Sequence, residues 1–404
     1  MVWETFSSSV IRDTRSSTRS LMGSEVSRYA GRSAWGSSLI VLTSCRSGRY
    51  VVLKERGRTC GAVPNSAPSA GAAAASAEQG NTNARCGMKE KIVLVGAGSA
   101  VFTRGLVADL IRTGWEVELG LVDVDPVALS VAEGLATKMI QARQAPMSVT
   151  AATDRRDVLE GATAVICTVG VGGRRAWEQD VFIPRQYGIY QPVGDSVMPG
   201  GASRALRMIP AMVEVAKDVL DLCPGALFFN YGNPMTPVCR AVRKATGAEM
   251  VGLCHGVKGV ARYLAEVLGV SERDFAYTAV GLNHLTWFIE ARVRGEDALP
   301  RLREIARERV ARAAQKGPQD ADVAALNPFS FHLLLLFGAY PAVNDRHVVE
   351  FFPELLPGGR YYGKTLGVDC FSVEATIAAG DRTYQEMQRD ATSPEPLGQE
   401  YFER

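Results

Sequence analysis

Two residues of this chain are of types that could hold a metal ion. Cys254 ends an apolar run, Met250–Cys254, and leads into His255-Gly256. His284 closes Gly281-Leu282-Asn283-His284, just ahead of the alternating Leu285, Trp287 and Ile289. The chain has 4 histidines in 404 residues, completed by His332 and His347, so each is informative. A thiolate and an imidazole brought together can hold a divalent cation and leave positions open for substrate oxygens. Their spacing is not a structural-zinc pattern. The competing reading is a buried thiol beside a satisfied core histidine. A second constellation is Gly96-Ala97-Gly98-Ser99, followed by Asp123. Glycines let a backbone approach a pyrophosphate, a helix N-terminus offers free N–H groups, and an acid about this far along accepts from a ribose hydroxyl. The third glycine position is Val101, so the full dinucleotide fingerprint is not met. A tight turn in some other α/β unit is the alternative, and Asp125 is the weaker candidate for the ribose.

Both constellations need elements that end at the same place. Lys91–Val95 is a short β-branched run before the glycines, and Leu106, Leu110 and Ile111 continue at helical spacing. Val117–Val122 is a second strand, ending at Asp123. Further strand-then-helix units are expected at Ala164–Val169, at Ala226–Asn230 after a helix around Ala202–Leu222, and at Met250–Cys254 before a helix Val257–Leu268. This alternation predicts an α/β fold with a Rossmann-type, doubly wound parallel sheet. Ligands of such sheets sit beyond the carboxyl ends of the strands. The tips Thr168-Val169-Gly170, Asn230-Tyr231-Gly232-Asn233 and Cys254-His255 are therefore expected to face one crevice.

Composition sets limits on function. With 47% hydrophobic and 22% charged residues and a net charge of +2, the chain reads as globular, without a nucleic-acid-binding surface. No apolar run is long enough for a transmembrane helix. The 8 cysteines form no C-x-x-C pair, which suits reduced thiols in a cytoplasmic protein, and Cys167, Cys223 and Cys239 read as structural. Residues 1–87 differ from the rest. They hold 16 Ser and 11 basic against 5 acidic residues, whereas the remainder has 34 basic against 38 acidic. This segment is expected to be disordered, or an extension from an upstream start that is foreign to the natural protein, with Met88 as the natural first residue. Its Arg- and Ser-rich, acid-poor composition also fits a transit peptide superficially.

From Lys89 to about Glu354 the chain resembles glycoside hydrolase family 4, the NAD- and metal-dependent glycosidases. The resemblance is carried by K-I-V-L-V-G-A-G-S (91–99), D-V-F-I-P-R-Q-Y-G-I (180–189), V-G-D-S-V-M-P-G-G-A-S-R-A-L-R (193–207), N-Y-G-N-P-M (230–235), G-L-C-H-G-V (252–257) and G-L-N-H-L-T-W (281–287). It implies an NAD-binding domain over 88–256 and an α+β catalytic domain over 257–404, in a lactate/malate dehydrogenase-like arrangement that commonly forms homo-oligomers. It also implies redox-neutral hydrolysis: hydride leaves sugar carbon 3 for NAD, the carbon 2 proton is removed, the carbon 1 group is expelled, water adds, and the hydride returns. Gly96, Gly98, Ser99 and Asp123 are then cofactor residues, and Cys254 and His284 are ligands to Mn(II) or another divalent metal. Asp180 matches the acid that assists the leaving group, and Tyr340 is the best-placed candidate for the carbon 2 base. Asn230, Asn233, His255 and Arg346 are expected to meet the sugar, although turn capping is the alternative for both asparagines.

The Cys-His-Gly-Val segment resembles the groups acting on unphosphorylated sugars, the α-glucuronidase group most. The implied substrate is thus an α-hexoside or hexuronide, whose carboxylate Arg346 could pair. Family chains continue well past the equivalent of Glu354, and the later motifs are not recognised before Arg404, so the catalytic domain is expected to be C-terminally incomplete. Two alternatives stand beside the glycosidase: a lactate- or malate-type dehydrogenase, and a truncated relic that binds NAD without turnover.

Overall fold

In the chain's computed structural model the described residues are 89–315 and 321–402; the expectations for residues 1–87 and for Met88 fall outside them. The run Lys91–Val95 lies within strand β1 (Glu90–Val95), whose last four residues are buried, as a central parallel strand covered on both faces requires. Five more parallel strands flank it: β2 (Val117–Val122), β3 (Met147–Ala152), β4 (Ala164–Cys167), β5 (Leu227–Asn230) and β6 (Met250–Gly252). Their order is β3-β2-β1-β4-β5-β6. This is the doubly wound Rossmann order, with its switch point between β1 and β4. The edge strand β3 had no clear sequence signal, because Met-Ser-Val-Thr-Ala-Ala lacks a strong apolar run.

The helices between these strands are α1 (Thr103–Thr113), α2 (Pro126–Ala142), the short α3 (Arg156–Leu159), α4 (Gly173–Gln186), α5 (Met198–Leu222) and α6 (Met235–Thr246), with α7 (Gly256–Leu268) after β6. The Asp125 carboxylate accepts from the N–H groups of Val127 and Ala128. It is the N-cap of α2, which accounts for its type without a ribose. Strands β4 and β6 stop two residues earlier than their apolar runs suggest. Thr168-Val169 and Leu253-Cys254 are thereby freed as loops at the carboxyl edge of the sheet.

After α7 the chain switches to an antiparallel sheet. β7 (Phe275–Leu282) and β8 (Leu285–Val293) form a hairpin turning at Asn283-His284; the two-residue β9 (Glu296–Asp297) and then β10 (Tyr340–Ala342) pair with β8. Helices α8 (Leu299–Gln315) and α9 (Pro328–Phe337) back this sheet around Phe288, Phe331 and Tyr340. A one-turn helix, α10 (Asp345–Val348), leads through irregular turns and a small ribbon, β11 (Arg360–Tyr361) with β12 (Lys364–Thr365), to α11 (Val373–Thr392).

Residues Thr383–Arg389 lie inside α11, which turns back onto the parallel sheet and α2. Tyr384, Met387 and Ala391 join the core formed by β1, β2 and α2. Gly134 of α2 faces Ala391 of α11, where a Cβ would make ordinary contact at 3.4 Å. The Lys138 ammonium donates to the carbonyls of Asp390 (2.7 Å), Ser393 (2.7 Å) and Glu395 (2.9 Å) just where α11 ends, satisfying carbonyls that a helix end leaves free.

Candidate active site

The glycine turn after β1 is built for close approach. Gly96 has φ +91, and a Cβ there would lie 2.8 Å from the Val169 nitrogen. At Gly98 a Cβ would lie 2.6 Å from Ala128 Cβ and 2.8 Å from Asp123 Oδ2. Gly98 N–H donates to that same oxygen at 2.8 Å, and Asp125 N–H donates to Oδ1 at 3.0 Å. Asp123 is thus oriented by the turn it serves and keeps lone pairs for a further donor. Ser99 Oγ accepts from Phe102 N–H at 3.3 Å, acting on the first turn of α1. Val101 is 69% exposed, so the departure from the three-glycine pattern falls where a side chain meets no neighbour.

The hairpin turn delivers His284 inward. Its φ of +64 is unusual for a non-glycine residue, and Gly281 beside it has φ +140, with no room for a Cβ 2.4 Å from Leu285 O. The imidazole is buried, and its Nδ1 lies 2.7 Å from Ser196 Oγ and 3.5 Å from Asp195 Oδ1. Cys254, at the tip of β6, is coupled electrostatically to this ring and accepts from Gly256 N–H at 3.3 Å. Burial alone would raise the Cys254 thiol, but the His284 ring outweighs it and holds the thiol below its usual value. Burial likewise opposes charge on His284, yet Asp195 and Cys254 push the imidazole up to about 10. Despite burial, the His284 and His347 rings and the Ser196 hydroxyl hold the Asp195 carboxyl well below the usual carboxylate range.

Around this centre, Asn233 Nδ2 donates to Asp195 Oδ2 at 2.7 Å and Arg204 donates to the Asn233 carbonyl at 3.1 Å. The His347 ring lies edge-on to His284, centroids 4.5 Å apart. Burial and the neighbouring His284 push it down to about 3, so it stays neutral. His255 is exposed next to Cys254, at the start of α7. Arg346 is half-buried and donates to Thr376 Oγ1 at 3.0 Å; its Nε is buried without a hydrogen-bond partner, and burial lowers the guanidinium.

Three expected site residues stand elsewhere. Asn230 is fully buried and closes its own turn, with Oδ1 accepting from Gly232 N–H (2.8 Å) and Nδ2 donating to Gly232 O (3.0 Å); it caps and does not face a sugar. Tyr340 is fully buried against Phe331, its hydroxyl donating to Asn344 Oδ1 at 3.0 Å. Burial pushes its phenol well above 10, the direction opposite to the one a base needs, so the packed aromatic is what this position holds. Asp180 lies mid-helix in α4, buried and bound through both oxygens by Arg207 of α5 (2.8 and 2.6 Å). Its carboxylate is committed to a guanidinium and is neither a surface charge nor a free acid.

Sequence reasoning left Asp195, Ser196, Arg207 and His347 unassigned, although the first three lie within the quoted 193–207 motif. The partners that place them in the site are 27 to 89 residues distant, and no local pattern announces them.

The donor chemistry suits both implied groups. A divalent cation at Cys254 and His284 would replace the proton those side chains share and satisfy both. Among the described residues, no three or more His, Cys, Asp or Glu side chains are arranged as a complete ligand set. The Gly96–Gly98 turn with Asp123 is the cradle a dinucleotide needs.

Comparison with known proteins agrees with this geometry. The model for Family 4 glycosyl hydrolases matches residues 91–270, and that for the Family 4 glycosyl hydrolase C-terminal domain matches 279–399, well past about Glu354, where the sequence resemblance ended. An α-glucosidase of Erwinia rhapontici is 43% identical over 217 residues, 52% of this chain and 48% of that protein. An α-galactosidase of Rhizobium meliloti is 35% identical over 266 residues, 65% of this chain and 52% of the other. An α-galacturonidase of Bacillus subtilis is 33% identical over 279 residues, 65% and 61%. The chain thus spans about half the length of the first two of these relatives. Among solved structures, a Bacillus subtilis glucosidase aligns with TM-score 0.66 and 28% identity over 77% of this chain and 74% of its own. A 6-phospho-α-glucosidase from gut microorganisms, solved with NAD and Mn2+, aligns with TM-score 0.63 and 20% identity over 77% and 70%. With two consecutive family models accounting for nearly all of residues 91–399, the chain belongs to glycosyl hydrolase family 4.

Proposed function

We propose that the protein is an NAD- and divalent-metal-dependent glycosidase acting on an unphosphorylated α-hexoside or α-hexuronide. The observation that carries this reading is the contact between the Cys254 thiol and the His284 imidazole, at the carboxyl edge of a sheet whose first turn suits a dinucleotide. The relatives named for α-glucose, α-galactose and α-galacturonic acid glycosides support the substrate class. So does Cys-His-Gly-Val, with its resemblance to groups using unphosphorylated sugars.

The bound groups supply reversible hydride acceptance at carbon 3 and Lewis-acid polarisation of the carbon 3 oxygen. The chain's own residues do the rest. Asp123 takes the ribose and the Gly96–Gly98 backbone admits the pyrophosphate. Asp195 and Ser196 orient the His284 ring from its Nδ1 side, which leaves the other nitrogen for the Cys254 side. Exposed His255 and half-buried Asn233 face the sugar, and Arg346 pairs a uronate carboxylate. Asp180 acts as an acid only if substrate binding releases it from Arg207. Tyr340 has no part in this reading. The functional form is proposed to be a homo-oligomer; no described helix is long and apolar enough to cross a membrane.

A second reading has specific support. The Asp195–His284 pair with Arg346 close by is what a 2-hydroxy acid dehydrogenase requires. Hydrolysis of 4-nitrophenyl α-glucuronide, α-galactoside and α-glucoside in deuterated water separates the two, with manganese, NAD, reductant and a Cys254→Ser control. Turnover that needs both additives, yields no net NADH and places deuterium at carbon 2 supports the glycosidase. Steady NADH formation from a hydroxy acid overturns it.

A further inference from the structure

The loop that carries Asp195 and Ser196 has no regular secondary structure, and yet it must hold two side chains against one buried imidazole. Residues 191–197 run between the end of α4 and the start of α5. They pack tightly on both: a Cβ at Gly194 would lie 2.6 Å from Val181 Cγ2, and one at Gly200 would lie 2.7 Å from Gly194 O and 2.9 Å from Asp180 O. Trp177 of α4 donates from Nε1 to Val193 O at 2.5 Å. What remains is the turn itself, whose amide groups face a side chain from far along the chain.

That side chain is Glu350, 4% exposed and without an ion-pair partner among the described residues. Its Oε1 accepts from Val193 N–H (2.6 Å) and from Gly194 N–H (2.8 Å); Oε2 accepts from Gln191 Nε2 at 3.3 Å. Gln191 is itself buried. It donates to Val197 O at 3.0 Å and accepts from Gly200 N–H, in the first turn of α5, at 3.0 Å. Burying a carboxylate is costly, and it is tolerated where the group meets several donors; the Arg346 guanidinium also acts on Glu350 through space. Two of the three donors here belong to the two residues immediately before Asp195. Three residues before Glu350 stands His347, whose ring meets His284 from another side. One short segment therefore touches the imidazole directly through His347 and indirectly through the 191–197 loop.

We propose that Glu350 is a positioning residue: by accepting from Val193 and Gly194 it sets the loop that brings Asp195 and Ser196 against His284. Its consequence for turnover rests on the glycosidase reading, whereas its consequence for the imidazole does not.

Three variants of the full chain test this: Glu350→Met, which removes both acceptors; Glu350→Asp, which withdraws them by one methylene; and Glu350→Gln, which keeps the oxygen that serves both amides. Two readouts are taken, kcat and KM on the best glycoside, and the ring-nitrogen NMR signals of His284 without added metal; only 4 histidines share the spectrum. Glu350→Met is expected to lower kcat about tenfold or more with KM within about threefold, since small misplacements of catalytic groups have effects of that size. It also shifts the His284 signals, while Glu350→Gln stays near wild type in both. If Glu350→Met does not fold, Glu350→Asp carries the same expectation. A folded Met or Asp variant with wild-type kcat and unmoved His284 signals overturns the proposal, as does a Gln variant as impaired as Met. If the wild-type protein turns over no glycoside, the glycosidase reading fails, and the ring signals alone then decide the role of Glu350.

Discussion

Replacing Gly98 with alanine tests whether the first turn is built for a dinucleotide or only for its own compactness. The added methyl would lie 2.6 Å from Ala128 Cβ and 2.8 Å from Asp123 Oδ2, where ordinary contact begins near 3.4 Å. The turn after β1 and the first turn of α2 must therefore separate by somewhat under an ångström. Overpacking of this kind costs about 1–3 kcal/mol. For a domain of this size that lowers Tm by roughly 2–12 °C. The separation also breaks the 2.8 Å bond from Gly98 N–H to Asp123, a charge-assisted contact of about 1.5–3 kcal/mol that aims the carboxylate. If Asp123 binds the ribose, NAD affinity falls about ten- to a hundredfold. Titration calorimetry with NAD and a thermal melt measure the two effects separately. The control is Val101→Gly at the exposed third position, expected to leave affinity unchanged. Gly98→Ala protein with a wild-type Tm and NAD affinity within about twofold of wild type would refute the reasoning.

Three further outcomes are expected. Cys254→Ser replaces a thiolate by a poorly ionising hydroxyl and should weaken manganese binding by about tenfold or more, read by calorimetry without substrate. Asp180→Asn leaves the Arg207 guanidinium facing an amide and should cost about 2 kcal/mol in urea denaturation, less than a fully buried pair because Arg207 keeps 27% side-chain exposure; an unchanged midpoint would show that the pair is idle. Burial pushes the Glu350 carboxyl from 4.5 up to about 7. Because the folded value is the raised one, its contribution to stability is fully present below about 4.5 and is lost as pH rises through about 7. The loss is at most about 3 kcal/mol, and Glu350→Gln should remove this part of the pH dependence of unfolding.

The parts of the molecule legible in the sequence are those written in short-range pattern. Lys91–Val95 shows its burial in a short apolar, β-branched run, and the glycines after it announce a turn, Gly96 by its left-handed φ and Gly98 by the lack of room for a Cβ. Asp123 follows from its place at the end of the next strand. Cys254 and His284 each stand at the end of a recognisable run, but their partnership became legible only through several motifs in register. Asp195 and Glu350 were not legible, since a carboxylate in a glycine-containing loop or in a short apolar turn reads the same whether it holds a buried ring, a backbone amide or water. Tyr340 failed for a related reason. An aromatic before a proline has one sequence signature and two fates, and only the packing of Phe331 and Phe288 around it tells them apart.

The return of α11 onto α2 bears on the order in which the molecule assembles. The Lys138 ammonium and the carbonyls it binds are separated by 252 to 257 residues. Contacts at such separation close long loops and are expected to form only after nearer pairings have reduced their entropic cost. The docking of α11 is therefore expected late on the folding route. Substitutions at Lys138 or Ala391 should quicken unfolding far more than they slow refolding, which places kinetic persistence in the last helix and the folding nucleus in the sheet beneath it.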